Sequence, residues 1–268
     1  MPNIPFTEAL RKEYENLFNS CMIRLERALL VDGIVANLVA NKNRYHTVSE
    51  TQGTPWSFIA VVHNMEASLN FTKHLHNGDP LSSRTVQVPA DRPKKGNPPF
   101  TWEESASDAL SIKGLGFQTD WSLAGTLYQL ERYNGWGCRL YHQHVLTPYL
   151  WSFANHYISG KYVADGTWSD IAVSKQCGAA VLLRRMAETG VISFPDQPNH
   201  GVDSKPLLAN YSLKKPEDRS IIMIVEDLQR WLNTFPGIFV KIDGVPGNLT
   251  SEAYKKVTGL FLPGDPRG

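Results

Sequence analysis

The stretch TPWSFIAVVHNMEAS, residues 54–68, restricts what the rest of the chain can fold into. Phe58, Ile59, Val61, Val62 and Met65 nearly encircle a helix built on it, and a helix that is apolar all round must be enclosed. Enclosure requires a shell of other helices. The neighbouring sequence predicts several. Thr7 can cap a helix carrying Leu10, Tyr14, Leu17 and Phe18 at helical spacing, and apolar periodicity runs on through Leu29, Val31 and Ile34 to Leu38. Thr54 is a natural cap for the enclosed helix, with Pro55 in its first turn. Helices are also predicted over Glu103–Lys113, from Asp120 to Tyr133, and from Asp170 to Glu188. The tract from Thr147 to Trp168 is expected to be extended or loop. The fold class is therefore mainly α, with one β element: NGDPLSSRTVQVP, residues 77–89, joins turn chemistry to an alternating run and predicts a small hairpin.

Residues 193–218 carry four prolines among polar residues and read as a linker. The domains drawn from this are 1–192, a linker at 193–218, and a small unit at 219–268. In the last, Ile221, Val225, Leu228 and Leu232 mark one helix face, and Thr250 can cap a second helix through Val257.

Glu66 stands where the enclosed helix ends. Apolar walls penalise its carboxylate, and the negative end of the helix repels it, so its pKa should rise. A glutamic acid protonated near neutral pH is what protonation of a glycosidic oxygen needs. Asp79 lies in a polar turn and should stay ionised, and Thr85 follows on the expected strand. Two carboxylates in contrasting settings can divide the acid and base roles of glycoside hydrolysis. Considered singly, each has a structural alternative: a helix-end acid, a turn former, a cap.

Taken together, these residues resemble the lysozyme-like superfamily of phage lysozymes and lytic transglycosylases. HNMEAS is similar to the segment around the family's catalytic glutamate, and Asp79 with Thr85 to the Asp/Thr pair on its hairpin. The chain departs from the pattern at Met65, where the family has arginine, and in a longer Glu-to-Asp gap. ERYNGWG, residues 131–137, resembles a segment lining the sugar groove, which implies substrate contacts for Tyr133 and Asn134. Trp136 is the first choice of sugar platform among a dense set that includes Tyr141, Tyr149, Trp151, Tyr157 and Tyr162. Glu131 is a second carboxylate on a buried helix, and its alternative is an ion pair with Arg132 or Arg139.

In the tail, VEDLQRWLN and IDGVPGNLTSEAYKKVTG resemble a three-helix peptidoglycan-binding module, with Leu228, Gln229, Leu232, Asp243, Gly244, Gly247, Thr250 and Ala253 in register. Much of that signature specifies a fold: Gly244 and Gly247 for tight turns, Thr250 as a cap. Both resemblances imply one polymer, murein, and a tether that raises local encounter with it. The expected activity is cleavage of the β-1,4 bond between N-acetylmuramic acid and N-acetylglucosamine. The alternatives are a lytic transglycosylase leaving 1,6-anhydro ends, and a non-catalytic wall-binding or virion structural protein.

The remaining features narrow this further. A net charge of +1 gives no global reason to expect nucleic acid or an anionic membrane as partner. Arg92, Lys94 and Lys95 read as a solvated loop. Cys21, Cys138 and Cys177 are too scattered for a disulfide framework and read as reduced core thiols. His63, Glu66, His74 and His76 match no metal spacing, His142 and His144 are as weak, and no cofactor is expected. No apolar run approaches the ~20 residues of a membrane span. A signal peptide is not evident in MPNIPFTEALRKEYENLF, so the expectation is a monomer made in the cytoplasm that reaches the wall by release or an unmarked export route.

Overall fold

A computed structural model describes residues 4–195, 206–235 and 238–268. The chain divides into two compact units, Met1–Tyr14 with Cys21–Arg185, and Glu15–Ser20 with Met186–Gly268. The second unit thus begins earlier than the boundary drawn at 192 and also takes in Glu15–Ser20. Residues 196–205 of the expected linker lie outside the described residues.

The architecture is mainly helical. In chain order the helices are α1 (Glu8–Asn19), α2 (Ala28–Ala40), α3 (Lys42–Gln52), α4 (Trp56–Ala67), α5 (Trp102–Ile112), α6 (Leu123–Asn134), α7 (Gly137–Tyr141), α8 (Pro148–Trp151), α9 (Ala179–Glu188), α10 (Arg219–Leu232) and α11 (Asn248–Thr258). Strands β1 (Lys161–Ala164) and β2 (Thr167–Ser169) form an antiparallel pair with Tyr162 opposite Trp168. No helix among the described residues is long and apolar enough to cross a membrane.

In the first unit α4 is enclosed, as its sequence demands. Every residue from Ser57 to Asn64 is buried, and α3 and α6 pack on it. Phe58 meets the edge of Trp121 at 5.0 Å. One turn before Glu66, His63 sits among Phe71 at 4.4 Å, Trp102 at 4.7 Å and Tyr45 at 5.9 Å. Burial pushes the His63 pKa down to about 4, so this imidazole is neutral at ordinary pH. The cap of α4 differs from expectation: Pro55 occupies that position, and the Thr54 hydroxyl is buried with no hydrogen-bond partner. On α5 the capping box is complete, Thr101 and Glu104 each receiving the other's amide proton. On α6 it is Ser122, and not Asp120, that accepts from the first turn.

The expected hairpin over 77–89 is absent. A single bridge, Lys73 to Pro80, stands in its place. The physical reason is that side chains consume the amides a ladder would use. Asp79 takes those of Val86 and Gln87, and Thr85 takes that of Arg92. Val86 and Val88 are more than four-fifths exposed, so no second layer covers the alternating run. The loop is anchored from below. His74 bonds Ser105 at 2.8 Å, His76 bonds Asp108 at 2.8 Å, and Arg92 forks onto the same carboxylate at 2.6 and 2.8 Å. Arg92 is therefore a half-buried clamp, whereas Lys94 pairs on the surface with Asp91.

The two-stranded sheet lies instead at 161–169, at the end of the tract expected to be extended or loop. Helix α9 starts at Ala179 and not at Asp170. Residues 170–178 are extended because other elements hold their backbone: the Tyr157 hydroxyl accepts from the Ser174 amide at 3.0 Å, and Ala172 accepts from Gly160 at 2.9 Å. Gly178 lies so close to Leu150 that a Cβ would come within 2.2 Å of its carbonyl oxygen.

The tail of the second unit has two helices among its described residues, α10 and α11, where three were expected. Leu228, Trp231, Leu232, Ile238, Val240, Ala253, Tyr254 and Leu262 form its core. Gln229, 1% exposed, organises the loop between the helices. Its Oε1 accepts from the amides of Asp243 and Gly244, and its Nε2 donates to Asp243, Val245 and Thr250. Gly244 has a φ of +71°, which a side chain resists. Gly247, at −88°, is under no such demand and itself caps α11. Thr250 lies inside α11, donating to Val245 at 3.2 Å. Gln229→Ala strips this loop of its donors and acceptors and leaves buried groups unpaired. Urea denaturation should show a loss of about 2–4 kcal/mol, and a loss below ~0.5 kcal/mol would contradict the role given to Gln229.

Candidate active site

Glu66 sits in the last turn of α4. Beyond it Ser68 and Leu69 adopt left-handed backbone, at φ +50° and +62°, and turn the chain away. Two consecutive non-glycine residues in that region cost roughly 1–2 kcal/mol each, so the helix is stopped against a local preference. The Gln176 amide caps the terminus, donating to the carbonyls of Asn64 at 3.1 Å and Met65 at 2.8 Å. Gly78 presses on it from the loop: a Cβ there would lie 2.8 Å from the Glu66 carbonyl oxygen.

The Glu66 carboxyl is half-buried and forms no ion pair within 4.0 Å among the described residues. Burial pushes its pKa from the ordinary 4.5 up to about 7. Two groups oppose that rise: the Tyr149 hydroxyl, donating to Oε1 at 3.0 Å, and the charge of Lys113. Lys113 is held over the Tyr133 ring at 4.7 Å and donates to the Tyr133 carbonyl at 3.1 Å. Desolvation first, and the facing Glu66 second, hold the phenols of Tyr149 and Tyr133 well above their usual range, so both stay neutral donors. Tyr149 also lines a cleft of about 210 Å³, with Met65, Asn134, Lys161, Tyr162, Ser174 and Gln176 among the other walls. The cleft and the acid thus share a residue.

The other expected site residues fall in several places. Asp79 accepts on Oδ2 from Val86 at 2.8 Å, Gln87 at 3.0 Å and Asn77 at 3.1 Å. A modest desolvation raises its pKa, but the amides of Gln87 and Val86 and the Asn77 side chain outweigh it, and the carboxyl is held below its usual range. Thr85 is buried, its hydroxyl donating to Pro89 at 2.5 Å while accepting from Arg92, so it braces the loop and has no proton left for a water. Tyr133 is buried behind Glu66 with its hydroxyl on the Leu75 carbonyl at 3.1 Å. Asn134 stands at the cleft. Trp136 is 4% exposed and packed against Tyr128 at 5.2 Å, so the expected sugar platform is a core residue.

Glu131 follows its structural alternative. Arg139 forks onto both oxygens at 3.0 and 2.8 Å, and Tyr14 donates at 2.6 Å. This ion pair borders a separate cleft of about 430 Å³ with Glu13, Gln143 and Trp151. His74 and His76 spend their ring nitrogens on the loop anchor, and no group of three metal-ligating side chains occurs among the described residues. All three cysteines are buried. In the tail, Leu228, Gln229, Asp243, Gly244 and Thr250 bond or pack internally and Gly247 caps a helix, so these signature residues maintain their own fold.

Sequence reasoning gave no role to Lys113, Gln176 or Lys161. Tyr149 and Tyr162 stood in the aromatic tract, but their partners are far away in sequence, 83 residues in the case of Tyr149 and Glu66. Comparison with known proteins found no matching family model, no matching curated protein and no matching solved structure.

The linkage of Glu66 to stability has a definite sign. Between about 4.5 and about 7 the folded chain holds a proton that the unfolded chain has lost, so stability falls as pH rises through that window. Glu66→Gln removes the penalty. Its melting temperature should match the parent's near pH 4 and exceed it at pH 8 by about 3–6 °C. Coincident melting curves at pH 8 would mean that Glu66 is not desolvated. Tyr149→Phe deletes a bond that favours the carboxylate, and a carboxyl-carbon NMR titration should find the Glu66 midpoint displaced above that of the parent.

Proposed function

We propose that this chain is a peptidoglycan glycosidase that cleaves the β-1,4 bond between N-acetylmuramic acid and N-acetylglucosamine, with Glu66 as general acid. The observation that carries the reading is the half-buried Glu66 carboxyl with its pKa near 7, bonded to a tyrosine that also walls a cleft. At neutral pH a large fraction of Glu66 holds its proton, and it passes that proton to the glycosidic oxygen as the bond breaks. The departing proton leaves a carboxylate. The Tyr149 hydroxyl and the Lys113 charge both favour that charged form, so they act at the stage where charge develops. Asp79 remains ionised and contributes a fixed negative charge near the oxocarbenium-like centre. Thr85 contributes by holding the loop. The fold reading that goes with this is a lysozyme-like helical unit joined to a wall-binding tail.

A second reading, a lytic transglycosylase, is favoured by the saturation of Asp79 Oδ2 with three donors. Glu66 would then serve both as acid and, once deprotonated, as the base that activates the sugar's own 6-hydroxyl. Digestion of purified murein followed by mass spectrometry separates the two, through reducing ends or 1,6-anhydro ends. In either case Glu66→Gln should lower the rate of cleavage by a factor of about 10² or more. Near-parental cleavage by that variant would refute the assignment. Binding of murein by the parent with no soluble fragments released would refute the catalytic reading as a whole and leave a wall-binding protein.

A further inference from the structure

Part of the wall of the 210 Å³ cleft comes from β1, whose Lys161 no reading of the sequence connected with a ligand. Two consecutive β1 residues, Lys161 and Tyr162, line it. Lys161 is the one charged side chain among the described residues lining the cleft, and it forms no ion pair with any described residue. Its ammonium is therefore uncommitted to any described carboxylate.

Tyr162 is braced on three sides. The edge of Trp168 approaches at 5.1 Å and that of His142 at 5.4 Å. Trp168 and His142 stack on each other at 3.6 Å and 6°, and Asp170 holds the Trp168 indole N–H at 2.8 Å. The phenol end of the Tyr162 ring rests on the bare backbone of Gly137, where a Cβ would lie 3.1 Å from the ring. A ring fixed in this way loses little freedom when a ligand packs on it. A rigid aromatic beside a lone cation suits a pyranose that offers a C–H face and an acidic substituent. An uncharged amino sugar supplies only the first.

We propose that Lys161 and Tyr162 form the sugar subsite of this cleft and that Lys161 selects an N-acetylmuramyl unit whose lactyl carboxylate is free of peptide over N-acetylglucosamine. This rests on the glycosidase reading for its polymer. Its test does not need cleavage.

The test is calorimetric titration of the full chain carrying Glu66→Gln with two probes. One is murein glycan strands stripped of their peptides, in which each lactyl group is a free carboxylate; the other is uncharged chitotetraose. Adding Lys161→Ala should weaken strand binding about tenfold and leave chitotetraose binding unchanged. Adding Tyr162→Ala should weaken both about tenfold, and Tyr162→Phe should restore both. An unchanged strand affinity in the Lys161→Ala protein, or an equal loss on both probes, overturns the proposal, as does the absence of any binding by the Glu66→Gln protein. Should Tyr162→Ala melt early, Lys161→Ala decides alone. The two readings fail separately. Full cleavage by Glu66→Gln with the Lys161 pattern intact removes the acid and keeps the subsite; an inactive Glu66→Gln with no Lys161 effect does the reverse.

Discussion

The desolvation of α4 governs the first unit. A helix with apolar residues on nearly every side cannot face water, so α3 and α6 enclose it and an aromatic box closes around His63. The same enclosure reaches Glu66, which lies in the last turn. A carboxyl there loses hydration that a single phenol hydroxyl and one nearby ammonium only partly replace. Proton retention at neutral pH is thus a by-product of packing, and the groups facing Glu66 adjust it from there.

What could be read in the sequence was local. The enclosure of α4, the placement of Glu66 at its end and the ionised state of Asp79 follow from neighbours within a few residues. The capping box at Thr101 was equally local, yet only a helix near Glu103 was anticipated, without its cap. What escaped depends on distant partners. Tyr149 reaches Glu66 across 83 residues, and Gln176 caps α4 across more than a hundred. Trp136 between two glycines reads as exposed, and only the packing of Tyr128 on it makes it core. The alternation over 84–89 has the period of a strand, but period does not reveal whether side chains will take the amides first, as Asp79 and Thr85 do.

The tail teaches a related point about signatures. A buried glutamine, a turn glycine and a helical threonine must keep fixed spacing for Gln229 to make its five hydrogen bonds to four residues. Those residues serve the loop they hold. They are spent on internal bonds and packing, so they speak for the fold of the tail and not for any function of its surface.

Gly78 has a mechanical consequence. Its missing side chain lets the loop rest directly on the carbonyl oxygen that ends the Glu66 turn. The left-handed φ of +79° at the same residue then sends the chain straight into Asp79. The spacing between the end of α4 and the turn that carries Asp79 is thereby set by backbone against backbone. A methyl group at this position would act as a shim, lifting the loop away from the helix end.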